Sequence, residues 1–292
     1  VSNADFYSLK EDEIPEHLKN ACIHLEIIAG EIDQDLRIKL AGARNTSEQV
    51  KEFSLEDLKG NFGWLKNLLD KSKFKGKIRY KEGEPNPVDV RVVLALLTLF
   101  HPKWLKLNKD PIIAYTGKGA TLDLYTDKEA GWQEGYEKLA PVVVDILELY
   151  DYIHIEFQKA YREAYGANGG KTKLGKRKGV TFIENKTRAR ELPLSGKRTQ
   201  YVLPDGWLYP LLASFRTLLV WPKSGRGDVK WAEDPFKLFS QKGSELVYAL
   251  VEGHEELGWN ANRTGKSKGI WSGLREKVGK WVLEERLKKL EE

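Results

Sequence analysis

The sequence predicts an α+β protein, mainly α-helical, with buried central helices and a few short strands or hairpins. Three observations predict this. Apolar residues recur at helical spacing over long segments, Val92 to Phe100 is apolar on nearly every side, and alternating segments are few and short. With 292 residues, 41% of them hydrophobic and 11% aromatic, the chain has the length and apolar content for a sizeable core.

The elements follow in chain order. A short helix follows Pro15, and Ile23 to Ala29 alternates apolar and polar residues as a half-buried strand does. Asp33 to Ala43 reads as a helix. Ser54 has the chemistry of an N-cap, with Asp57 three residues on as a capping-box variant. One helix behind it carries Leu55, Leu58, Phe62, Leu65, Leu68 and Leu69, although Gly60 and Gly63 each weaken it by roughly 1 kcal/mol relative to alanine. Val88 to Phe100 is a buried helix with Asp89 and Arg91 at its polar start, broken by HPKW. Pro111 to Tyr125 has two runs around Gly117-Lys118-Gly119 and resembles a hairpin. Pro141 begins a long helix through Tyr165. DGWLYPLLASFRTLLVW is a second buried helix, Glu245 to Leu257 a further helix, and an amphipathic helix from about Ile270 ends the chain. The domain organisation expected is a core over 1–165, a basic loop over 166–200, and a Trp-rich helical part over 201–292 packed on the core.

Composition narrows the function classes. The one cysteine, Cys22, excludes a disulfide framework and a multi-cysteine zinc site. No signal or transit sequence opens the chain, and its longest apolar run is too short to span a bilayer. The expectation is therefore a cytoplasmic protein without a membrane partner, and the sequons at Asn45, Asn185 and Asn262 read as chance. The chain has no methionine, although a sequence of this size ordinarily contains several, so arguments from narrow spacings carry little weight.

Charge is concentrated. Lys171, Lys173, Lys176, Arg177, Lys178, Lys186, Arg188, Arg190, Lys197 and Arg198 stand against only Glu184 and Glu191, which makes the segment +8 and the rest of this +5 chain about −3. Clustered cations neutralise phosphates and release counterions, so nucleic acid, DNA or RNA, is the partner class to test. Trp207, Trp221 and Trp231 follow in sequence and have the rings needed to stack on unpaired bases. A solvated loop beside core tryptophans is the competing account.

Other motifs are weaker. NRTGKSKG ends like a phosphate-binding loop, but Asn260 stands where that motif needs glycine, and a helix precedes it where a strand is required. It reads as a loop before the last helix. Asp151 lies three residues before His154 on one helix, which can orient an imidazole for acid–base work, but a buried histidine satisfied by a carboxylate is the commoner arrangement. His17, His24, His101 and His254 show no ligand spacing, and neither metal nor cofactor is expected. The acid-x-lysine Asp57-Leu58-Lys59 lies on a helix start and not on a nuclease strand pair, so catalysis is unassigned.

Several blocks resemble the abortive infection phage resistance family. They are ARNTSEQVKEFSLEDLKGNFGWLK, KIRYKEGEPNPVDVRVVLALLTLF, PIIAYTGKGATLDLY, LAPVVVDILELYDYI and LYPLLASFRTLL, within Ile23 to Leu219. The resemblance implies a bacterial phage-defence protein, usually longer than this chain, with an N-terminal portion lying before it. It marks Arg44, Asn45, Thr46, Gln49, Asp89, Arg91, Tyr115, Lys118 and Arg216 as positions to watch. Arg44 and Lys118 have the chemistry to bind a phosphate or carboxylate, and Asn45 and Gln49 that to read a base edge; an internal hydrogen-bond network is the alternative. Three functions stay open: a nucleic-acid-binding or sensing portion, part of a nuclease whose catalytic residues lie mainly elsewhere, and an interaction domain docking a partner or forming a homo-oligomer.

Overall fold

The computed structural model describes residues 52–127, 131–165, 190–192, 194, 196–199, 203–222, 228–258 and 260–291. These form a helical body with three two-stranded sheets, as the composition of apolar segments predicts. The predicted strand at Ile23 to Ala29, the helices before it and after it, and Cys22 lie outside the described residues.

The helix predicted from Ser54 is two helices, α1 (Glu52–Leu58) and α2 (Gly63–Leu69). Gly60 adopts φ +78° between them, a left-handed conformation that glycine reaches without a Cβ clash, and it ends α1. Ser54 lies inside α1 and is no N-cap; its Oγ accepts from the N–H of Glu82 at 2.9 Å. Asp57 pairs instead with Lys66 of α2.

Strands β1 (Ile78–Arg79) and β2 (Val88–Asp89) pair in parallel, Ile78 opposite Val88. Helix α3 (Val90–Phe100) follows directly, capped by Asp89, whose carboxylate accepts from the N–H of Arg91 at 2.9 Å. Nine of its eleven residues are buried, so α3 runs through the centre of the core. His101 ends α3 in an extended conformation and caps α4 (Pro102–Lys106), with Pro102 at the first helical position.

Pro111 to Tyr125 is not a hairpin. It forms α5 (Ile113–Thr116) and α6 (Lys118–Thr126), joined at an extended Gly117. Thr121, Leu122 and Tyr125 are all buried, which is the i, i+1, i+4 set of one helix face and cannot be one face of a strand. The Tyr125 hydroxyl donates to the Asn61 carbonyl at 2.7 Å and accepts from Trp64 Nε1 at 2.6 Å, which ties α6 to α2.

After α7 (Trp132–Glu137) and a 3-10 turn at Ala140–Val142 comes α8 (Val143–Tyr165), the long helix predicted. Gly135 of α7 lies so close to His101 that a Cβ there would meet Nε2 at 2.1 Å. Strands β3 (Arg190–Glu191) and β4 (Arg198–Thr199) pair antiparallel. Then follow α9 (Asp205–Ser214), a 3-10 turn at Phe215–Leu218, the antiparallel pair β5 (Leu219–Val220) and β6 (Lys230–Trp231), α10 (Pro235–Glu256), α11 (Ala261–Lys266) and α12 (Lys268–Glu291). Every helical residue of α9 from Gly206 to Ser214 is buried. Helix α10 packs along α8, α9 packs against α3, α8, α11 and α12, and one hydrophobic cluster joins them all.

Candidate functional site

The basic segment is rooted in the core on both sides. At its start Tyr165, the last residue of α8, stacks on Tyr248 with ring centroids 5.3 Å apart. At its end Leu192 and Leu194 are 2% exposed; the Leu192 N–H donates to the Lys197 carbonyl and the Leu192 carbonyl accepts from Gly196, which has φ +71° in the turn. Leu203, also buried, donates its N–H to Nδ1 of His154 at 3.2 Å. Of the ten cations, Lys197 is exposed, and the strands place the backbones of Arg190 and Arg198 at opposite ends of the turn. Lys171, Lys173, Lys176, Arg177, Lys178, Lys186 and Arg188 lie outside the described residues.

His154 does not form the acid–base pair with Asp151. Nδ1 is taken by Leu203, so the proton sits on Nε2, which has no hydrogen-bond partner among the described residues. Burial lowers its pKa to about 4, so the ring is neutral and acts as an acceptor that holds the chain returning from the basic segment. His101 and His254 are likewise buried and lowered to about 4, chiefly by burial. His101 Nε2 lies 2.9 Å from the Trp132 carbonyl, and His254 Nδ1 lies 2.6 Å from Thr264 Oγ1. All three are structural.

The positions marked by the family resemblance fall into separate groups. Arg44, Asn45, Thr46 and Gln49 lie outside the described residues, as does the side chain of Lys118, whose backbone opens α6. Asp89 and Arg91 bond to each other at 2.7 Å, with Arg79 3.3 Å from the same carboxylate. Burial alone would raise the Asp89 carboxyl, but hydrogen bonds and charge from Arg91 and Arg79 hold it below its ordinary value. The Tyr115 hydroxyl donates to Asn262 at 3.2 Å. Arg216 is 1% exposed and reaches the Lys109 carbonyl at 3.0 Å and Asp110 at 2.9 Å. Among the described residues, Asp89, Arg91, Tyr115 and Arg216 bond to other protein groups.

Sequence reasoning missed the partners of Arg216. Asp110 accepts from Arg216 and, at 2.6 Å, from Arg275 of α12, a residue 165 positions away. No local spacing signals a pair so distant. Burial pulls the Arg216 guanidinium down to about 10 against the supporting charge of Asp110, and it remains a cation at neutral pH.

The GKS sequence is a packing device. It lies in α11 and before α12, so it is a short helix and not a loop, and Asn260 caps it by accepting from the N–H groups of Asn262 and Arg263. A Cβ on Gly265 would meet the Tyr115 ring at 2.4 Å and Gly206 Cα at 2.8 Å. Glycine is there because two helices and a tyrosine meet. The acid-x-lysine Asp57-Leu58-Lys59 ends α1 and does not start it. Among the described residues, no group of three or more His, Cys, Asp or Glu is placed to hold a metal, and no helix is long and apolar enough to cross a membrane.

Two of the three tryptophans are structural. Trp207 is fully buried against Phe157 and His254, and Trp231 donates Nε1 to Asp145 at 2.9 Å with its ring edge-on to Phe100. Trp221, partly exposed, instead lines a cavity of about 440 Å³ with Pro102, Leu105 and Pro141. Lys106, Lys138, Glu137 and Asp228 supply its charged groups.

No protein-family model, curated protein or solved structure matches the chain.

Proposed function

We propose that this chain is the nucleic-acid-binding or sensing portion of a bacterial phage-defence protein of the abortive infection phage resistance kind. The observation that carries the binding is the concentration of charge, +8 between Lys171 and Arg198 on a chain that is otherwise net acidic. Such a segment gains affinity from released counterions and needs no base-specific contact. The roots at Tyr165, Leu192, Leu194 and Leu203 support the reading, because the core residues on either side give the cations a folded base. The defence assignment rests on the sequence blocks that resemble the family.

Fluorescence anisotropy of labelled DNA and RNA with the full chain, across a salt series with and without Mg²⁺, tests the proposal. Binding at low salt that weakens steeply as salt rises is expected. No binding at low salt contradicts it, and cleavage that needs the metal would favour a nuclease instead.

A second reading, docking of a partner or a second copy, is favoured by Leu283 and Leu287. They stand four residues apart on α12 and are 60% and 59% exposed. A mass that rises with concentration, and falls to the monomer in Leu283→Glu, would support it.

A further inference from the structure

The Trp221 cavity is built from three separated stretches: α4, the turn between α7 and α8, and the ends of β5 and β6. Its volume of about 440 Å³ lies within the roughly 300–1,000 Å³ typical of small-molecule sites. The indole Nε1 of Trp221 is enclosed and has no hydrogen-bond partner among the described residues, and Trp221 lines the cavity. Pro102, Pro141 and Leu105 complete an apolar wall. Lys106 and Lys138 are exposed at its edge, and Lys138 also pairs with Glu134 at 2.6 Å.

We infer that this cavity takes one unpaired base of a single-stranded nucleic acid, stacked on Trp221, with Lys106 and Lys138 on the flanking phosphates. Stacking on an aromatic face is open to every base and closed to a base inside a duplex. Glu137 and Asp228 stand at the same cavity, and a carboxylate there accepts from the exocyclic amino group of cytosine or adenine. The inference rests on the nucleic-acid reading above and narrows it to single strands.

The test is anisotropy of the full chain with a single strand of roughly 20 nucleotides and a duplex of the same sequence. Trp221→Ala is expected to weaken the single strand about tenfold and leave the duplex unchanged. Lys106→Ala with Lys138→Ala, at exposed positions, should weaken the same strand without loss of melting temperature, which keeps the test valid if Trp221→Ala unfolds. Equal losses for strand and duplex, or no loss in folded variants, overturn the inference. If the unaltered chain binds no nucleic acid, the functional reading falls and this one with it. If it binds but the cavity variants bind equally well, only the cavity is wrong. A labelled proline-rich peptide that binds and is lost in Trp221→Ala, while the strand is retained, would assign the cavity to a protein partner and overturn the proposal.

Discussion

The backbone N–H of Leu203 donates to Nδ1 of His154 across 3.2 Å, which fastens the chain leaving the basic segment to the middle of α8. That bond needs an unprotonated Nδ1, as does the contact of His101 with the Lys103 N–H, whereas the Trp132 carbonyl accepts from His101 Nε2 in either protonation state. Burial holds His101, His154 and His254 near 4 in the folded chain, against an ordinary 6.5. The unfolded chain therefore takes up protons first as pH falls. The stability these rings contribute is present above about 6.5 and is lost as pH drops from there towards 4, on the order of 2–3 kcal/mol for each ring. Chemical denaturation between pH 7 and 4.5 measures it, and His154→Gln should flatten the pH dependence by close to one proton.

Helices α9 and α11 touch through glycine. Gly265→Ala should destabilise the fold by about 2–3 kcal/mol, because the new methyl group meets an aromatic ring and a neighbouring Cα, and rigid neighbours yield little. Lys266→Ala, the lysine of the GKS sequence, should change stability by less than about 0.5 kcal/mol. Neither substitution should alter affinity for a nucleoside triphosphate, which equilibrium dialysis can check.

The Asp110 carboxylate, whose side chain is 11% exposed, sits between two guanidinium groups, that of Arg216 buried. Asp110→Asn removes the charge that supports Arg216 and should cost about 3–5 kcal/mol, the range for breaking a buried ion pair. Arg275→Ala, whose side chain is 21% exposed, should cost clearly less. Urea denaturation of the two variants gives the comparison.

Much of this fold was legible in the sequence. The periodicity of Val143 to Tyr165 identified a long helix, and the all-round apolar character of α3 and α9 identified two buried ones. The hairpin at Pro111 to Tyr125 was misread because short apolar runs on either side of a glycine fit both a hairpin and a helix pair. Burial of Thr121 beside Leu122 decides between them, and burial is a tertiary fact. Ser54 was misread because an N-cap is recognised by the chain's direction before it, and α1 already begins at Glu52.

The candidate site was legible only in part. A run of cations is visible in any sequence, but the three tryptophans beyond it look alike until packing separates them. Trp207 packs its ring against Phe157 and His254 and Trp231 donates its nitrogen to Asp145, while Trp221 lines a cavity. That cavity joins residues more than a hundred positions apart in sequence, from Pro102 to Val229, and no spacing rule reaches so far.

The salt dependence of nucleic-acid affinity tests the central claim most directly. Each phosphate contact contributes roughly 0.7–0.9 to the slope of log affinity against log salt. Replacing Lys171, Lys173, Lys176, Arg177 and Lys178 with glutamine should therefore lower the magnitude of that slope by about four, with the melting temperature unchanged. An unchanged slope in the folded variant would contradict the assignment of phosphate binding to this segment.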